Sequence, residues 1–134
     1  MKTKTEEIFE LTAPYSNPYQ GNDPKLLFVC SAGLLRSATA ANLFAKKGNN
    51  TRGCGSEEYA LIPLSFNLIA WADKIYFVNK KNYESSLYTF REYETILKVL
   101  KKKSIVLDID DCYNYNHPEL IKQLEEQINE KSIL

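Results

Sequence analysis

Short apolar runs alternate with amphipathic stretches along most of this chain. Leu26-Leu27-Phe28-Val29 carries no polar residue, the pattern of a strand buried on both faces. Lys74-Ile75-Tyr76-Phe77-Val78 predicts a second strand over 74–78, and Ser104-Ile105-Val106-Leu107 a third over 104–107. A weaker strand is expected through 50–52, ahead of Gly53-Cys54-Gly55. Between these, Ala38, Ala41, Phe44 and Ala45 recur near helical spacing over 36–47, and Gly48 is placed to end that helix. Further helices are expected over about 61–70, 85–101 and 119–129. In the last, Leu120, Leu124 and Ile128 repeat at helical spacing with Ile121 beside them. His117-Pro118 opens that helix, with Pro where a missing N–H does no harm.

Strands separated by helices of this length imply βαβ units with right-handed crossovers. The expected fold is therefore α/β with three layers, a four-stranded and mainly parallel sheet flanked by helices on both faces. Residues 1–24 read differently. Ala13-Pro14-Tyr15-Ser16-Asn17-Pro18 through Asn22-Asp23-Pro24 is rich in turn formers and sustains no regular element. An N-terminal arm over 1–24 is expected, leading into one domain over 25–134, with Ile8, Phe9 and Leu11 available to dock it.

Composition narrows the partners. The 134 residues fit one compact domain. Seventeen basic and seventeen acidic residues give a net charge of zero, so no global basic field draws the chain onto nucleic acid. No apolar run approaches the ~20 residues needed to cross a bilayer, and the charged opening MKTKTEEIFE does not read as a signal peptide. Neither nucleic acid nor membrane is expected as a partner. Cys30, Cys54 and Cys112 are odd in number and widely spaced, which suits free thiols in a reducing, cytoplasmic setting. The basic run Lys101-Lys102-Lys103 reads as a solvated helix end that complements the dipole.

The segment that carries chemistry is Val29-Cys30-Ser31-Ala32-Gly33-Leu34-Leu35-Arg36-Ser37. It falls where a buried strand ends and a helix begins, the edge of an open α/β sheet at which ligands bind. Backbone N–H groups of such a loop, with the positive end of the helix, hold an anion without any side chain. Arg36 adds a planar fork of donors that pairs bidentately with phosphate oxygens. The same donors around Cys30 favour a thiolate nucleophile. The hydroxyl of Ser37 is near enough in sequence to bond the sulfur and stabilise it as a leaving group. Ser31, Ala32, Gly33, Leu34, Leu35 and Ser37 are thus the expected substrate-binding residues. A cysteine at a strand end is also, in many proteins, just a small buried hydrophobe, and Cys-x5-Arg arises often by chance. The position at the first strand-to-helix turn, with small residues that let the loop tighten, favours chemistry.

The Val-Cys-x5-Arg-Ser motif at the first strand end resembles that of the low-molecular-weight protein tyrosine phosphatases, in particular a bacterial and phage-type branch. The resemblance runs from about 25 to 124. Arg52-Gly53-Cys54-Gly55-Ser56 is similar to the family's Arg-Ser-Ala-Gly-Thr turn, and Trp71-Ala72-Asp73 to its Trp-Ala-Asp sequence before a strand. Leu107-Asp108-Ile109-Asp110-Asp111-Cys112-Tyr113 resembles its acid loop. The resemblance implies hydrolysis of phosphotyrosine-like phosphomonoesters, on a phosphorylated protein or a small molecule, with no cofactor and no metal. Matching Tyr113 to the family tyrosine places the general acid at Asp111, with Asp110 as the alternative and Asp108 in a structural role. A pair of aspartates at a strand end is also a common turn feature. Tyr113 and Tyr115 would flank the cleft and stack on an aromatic substrate.

The chain departs from the family pattern in places. Gly33 stands where the family has a loop-bracing Asn, Ala38 and Ala41 replace a Pro and a Glu, and Cys112 replaces the Pro of the acid loop. Related phosphoarginine phosphatases have Thr at the position of Leu34, so an apolar residue there points to phosphotyrosine-like substrates. Four other readings stand beside the hydrolase. A domain that holds phosphate or a phosphoprotein with little turnover fits Gly33 and the altered acid loop. A thiol-dependent arsenate reductase would need two more cysteines close together, and a Cys30–Cys112 disulfide would give redox control. Cys112 and His117 make only a partial zinc set.

Overall fold

The computed structural model describes residues 24–33, 35–110, 112 and 115–131. The element order is β1 (Lys25–Cys30), α1 (Arg36–Lys46), β2 (Asn50–Gly55), α2 (Phe66–Trp71), β3 (Lys74–Phe77), α3 (Lys80–Thr89), α4 (Glu94–Lys103), β4 (Ser104–Val106) and α5 (Pro118–Lys131). The four strands form one sheet in the order β2-β1-β3-β4, every pair parallel. The expected three-layer α/β architecture is what forms. The predicted arm over 1–24 lies outside the described residues except for Pro24, whose carbonyl accepts from Asn50 N–H at 3.1 Å.

Strand alternation sorts the core into two layers. Leu26, Phe28, Tyr76, Val78, Leu107 and Ile109 pack against Ala40 and Phe44 of α1 and Leu120, Leu124 and Ile128 of α5. Leu27, Val29, Cys54, Ile75 and Phe77 pack against Leu68 and Ile69 of α2, Tyr83 and Leu87 of α3, and Leu97 and Leu100 of α4. Phe28 lies stacked between Phe44 and Tyr76, with centroids 5.6 and 5.3 Å away. Each such fully buried side chain contributes about 1.5–3 kcal/mol, so β1, buried from Leu26 to Cys30, anchors both layers.

At the end of the sheet away from the candidate loop, Asp73 binds the start of β1. Its Oδ2 accepts from Lys25 N–H at 2.9 Å, and its own N–H donates to the Lys25 carbonyl at 2.8 Å. The Trp71-Ala72-Asp73 sequence is therefore a structural clasp that aligns β3 with β1.

Two expected helices differ in extent. The stretch 61–70 is helical only from Phe66, because Ile62 and Leu64 instead bond both backbone groups of Gly55 at 2.9 and 2.8 Å and cover the end of β2. The expected helix over 85–101 is two helices. The first begins at Lys80, where Asn79 Oδ1 caps Lys81 N–H at 3.0 Å. The break at 90–93 brings Phe90 and Tyr93 around Phe66, with centroids 5.6 and 4.9 Å away, a tertiary contact that helical periodicity does not report. β2 runs beyond the expected 50–52, to Gly55.

Candidate active site

β1 lies between β2 and β3, so the connection leaving its carboxyl end runs one way, to β2, while that leaving β3 runs the other, toward β4. That topological switch point is where an open sheet leaves a crevice. Cys30 is the last residue of β1 and shares the parity of Leu26 and Phe28, so its side chain faces the α1 layer. Ser37, in the first turn of α1 and fully buried, meets it there, with Sγ and Oγ 3.1 Å apart.

The loop between them is held by its carbonyls. Those of Cys30, Ser31 and Ala32 accept from the N–H groups of Ser56, Glu57 and Leu61 at 2.7, 3.2 and 3.2 Å. In a trans peptide the N–H points opposite to the C=O of the same plane. With the carbonyls turned outward, the N–H groups of Ser31, Ala32 and Gly33 turn inward, and that of Gly33 reaches Cys30 Sγ at 3.2 Å. Gly33 has φ +75°, the left-handed conformation that a glycine adopts without a Cβ penalty. The loop rests on Gly55, where an added Cβ would stand 2.5 Å from the Ser31 carbonyl oxygen. The glycines of the Arg52–Ser56 segment thus serve close backbone approach.

Arg36 is 4% exposed, and its Nη1 donates to the Ile109 carbonyl at 3.0 Å. The same carbonyl accepts from Asn79 Nδ2 at 3.4 Å. Ile109 itself is tied to the residue just after β3 through its N–H to the Val78 carbonyl at 2.9 Å. The guanidinium is therefore aimed before any ligand arrives. A cleft of about 170 Å³ opens beside it, lined by Ser31, Arg36, Asn79, Lys81, Asn82 and Asp110. The N-termini of α1 and α3 both face it, so two helix dipoles, Arg36 and Lys81 favour an anion there. Asp110 is the acid among the lining residues.

The other expected residues fall as follows. Leu35 precedes α1 and is exposed, its carbonyl accepting from Thr39 N–H and Oγ1. Tyr115 is half exposed and is not among the residues lining the cleft. Leu34, Asp111 and Tyr113 lie outside the described residues. Asp108 pairs its backbone N–H and C=O with the side-chain amide of Gln127 at 2.6 and 2.8 Å. Sequence reasoning missed Asn79, Lys81 and Asn82. The available signal was that they follow the second apolar strand, whose carboxyl end shares the switch point with β1.

Cys30, Cys54 and Cys112 are all free thiols, and Cys112 is exposed. Cys54 has the parity of Val29 and faces the other layer from Cys30. Burial pushes its thiol well above the ordinary range, and the neighbouring Cys30 adds to this. A thiol so held is a poor nucleophile for a reductase relay. Among the described residues no three His, Cys, Asp or Glu side chains gather as metal ligands. Nor is any helix there long and apolar enough to cross a membrane.

The open parallel sheet with helices on both faces is an architecture seen in solved structures. The tyrosine phosphatase AmsI of Erwinia amylovora matches with a TM-score of 0.58 at 15% identity, over 88% of this chain and 98% of that one. The YwlE arginine phosphatase of Geobacillus stearothermophilus gives 0.58 at 19% identity, over 79% and 88%. The Escherichia coli K30 tyrosine phosphatase Wzb, solved with phosphate, gives 0.58 at 12%, over 81% and 95%. The fold is that of the low-molecular-weight protein tyrosine phosphatases, as the sequence motifs implied. The sequence matches no family model and no curated protein.

Proposed function

We propose that this chain is a cysteine-dependent phosphatase that hydrolyses phosphotyrosine-like phosphomonoesters through a cysteinyl-phosphate. The observation that carries the reading is the outward turn of the loop carbonyls, which leaves inward N–H groups around a sulfur bonded by Ser37 and Gly33. In the first step the Cys30 thiolate forms an S–P bond as the ester P–O bond breaks. A carboxylic acid gives its proton to the leaving oxygen. In the second step water attacks phosphorus, the same carboxylate takes its proton, and the S–P bond breaks with Ser37 stabilising the thiolate. Arg36 and the loop N–H groups carry the charge of both transition states. Asp111 is the acid by resemblance, and the place of Asp110 on the cleft makes it the alternative. By resemblance, Tyr113 and Tyr115 flank the substrate ring, Tyr115 from outside the residues that line the cleft.

The solved neighbours include tyrosine and arginine phosphatases, and Leu34 tips the expectation toward phosphotyrosine. The substrate is a phosphorylated protein or a small phosphomonoester. Residues 25–134 form the catalytic domain with 1–24 as an arm, and free thiols suit a cytoplasmic location. Hydrolysis of p-nitrophenyl phosphate by wild type and Cys30→Ser tests the reading. Turnover should fall by a factor of about 10³ or more in the variant, and phosphotyrosine should be a better substrate than phosphoarginine. Gly33 and the missing acid-loop Pro favour a second reading, a phosphate-binding module. Wild type that binds phosphotyrosine yet is as inactive as Cys30→Ser would establish that one instead.

A further inference from the structure

Asn82 is 2% exposed, in the first turn of α3, and bridges two pieces of the site. Its Nδ2 donates to Ser31 Oγ at 3.0 Å and to Ser56 Oγ at 3.2 Å, which uses both amide hydrogens. Its Oδ1 is buried with no hydrogen-bond partner. A buried acceptor without a donor costs stability. A residue selected for packing alone would be Leu, similar in size and without that cost. What Asn82 contributes is its pair of donors, and both go to hydroxyls.

A hydroxyl that accepts from Asn82 must send its own proton elsewhere. Ser56 Oγ has Glu57 Oε1 at 3.4 Å, itself fixed by Ser85 Oγ at 2.9 Å. Ser31 lines the cleft with Arg36. We propose that Asn82 is a positioning residue: by donating to Ser31 Oγ it turns the Ser31 hydroxyl proton into the cleft, where that hydroxyl donates to an oxygen of the bound phosphoryl group. The tie also steadies a loop in which Gly33 offers no side chain as a brace. This rests on the proposed phosphate site but not on turnover.

The test is a double-mutant cycle on Ser31→Ala and Asn82→Leu, with Asn82→Ala as a second variant at the same position. Affinity for inorganic phosphate is measured by calorimetry, p-nitrophenyl phosphate kinetics give kcat and KM, and thermal melts report folding. Ser31→Ala should weaken phosphate on the order of tenfold, as expected for one hydrogen bond to a charged group. Asn82→Leu should lose most of that factor without a lower melting temperature, and the double variant little more than Ser31→Ala alone. Additive losses, an Asn82→Leu protein that binds phosphate as wild type does, or wild type with no affinity for phosphate would each overturn the proposal. Should wild type fail to hydrolyse while the cycle holds for phosphate affinity, the phosphatase reading falls and this one stands. Turnover with additive losses would do the reverse, sparing the phosphatase and removing the role of Asn82.

Discussion

The loop that leaves β1 and the segment that leaves β4 both end beside Arg36, but they are secured differently. Along the first, three successive carbonyls bond amides of the segment after β2, and Asn82 holds the Ser31 side chain. The second, among its described residues, is tied at its two ends. Near β4, Leu107 and Ile109 donate to the Phe77 and Val78 carbonyls and Asp108 pairs with Gln127. Toward α5, Asn116 N–H donates to Thr39 Oγ1 at 2.8 Å. Asp110 stands between these anchors, exposed at the cleft. On the proposed chemistry, the contrast matches two tasks. Holding an anion works best with dipoles fixed before it arrives. Delivering a proton needs one carboxyl within hydrogen-bond reach of a leaving oxygen, and little else.

The strongest break of the first region is Arg36→Lys. Lysine keeps the charge but loses the planar fork and the tie to the Ile109 carbonyl. On the proposed chemistry kcat/KM should drop by about 10²–10³, measured by steady-state hydrolysis of an aryl phosphate. In the second region, Asp110→Asn and Asp111→Asn should behave unlike each other. The one that removes the acid should lower kcat by roughly 10² or more and flatten the alkaline limb of the pH profile, while the other stays near wild type. Equal, small effects from both would show that proton delivery does not come from this segment.

Gly55→Ala probes the bed beneath the loop. The added methyl would collide with Ala60 Cβ and crowd the Ser31 carbonyl, so stability should fall by about 1–3 kcal/mol in urea unfolding. KM should rise as the loop shifts. The smallest effect concerns Cys54, whose thiol the fold holds protonated. In the unfolded chain a cysteine ionises near pH ~8.5, so there the unfolded state binds fewer protons than the native one. The thiol's contribution is complete below that pH and is lost as pH rises above it. Wild type should therefore lose more stability than Cys54→Ala between pH 8 and pH 9.5, by about 1 kcal/mol, read from urea midpoints at each pH.

Much of the first region is legible in the chain itself. The apolar run before Cys30, the small residues after it and Arg36-Ser37 at a helix start all lie within a few positions. The Cys30–Ser37 contact spans only seven residues. The second region is less legible. Asp110 and Asp111 differ by one position, and only the path of the backbone after Ile109 can say which faces Arg36. Structure puts Asp110 on the cleft, while Asp111 lies outside the described residues. The break between α3 and α4 was hidden for a related reason. Its cause is Phe66 packing on Phe90 and Tyr93, residues more than twenty positions away.

Sequence alone determined the alternation of strands and helices, the end of β1 at Cys30 and the start of α1 at Arg36. Backbone hydrogen bonding and side-chain periodicity act over a few residues, so these features are written locally. Tertiary structure decided which strands are neighbours. Burying both faces of β1 required β2 on one side and β3 on the other, with helices packed over each face. That order brings Asn79 and Asn82 to a loop some fifty residues earlier, the latter bonding Ser31 across a separation of 51. Contacts of that span depend on closure of the whole sheet, which no local pattern encodes.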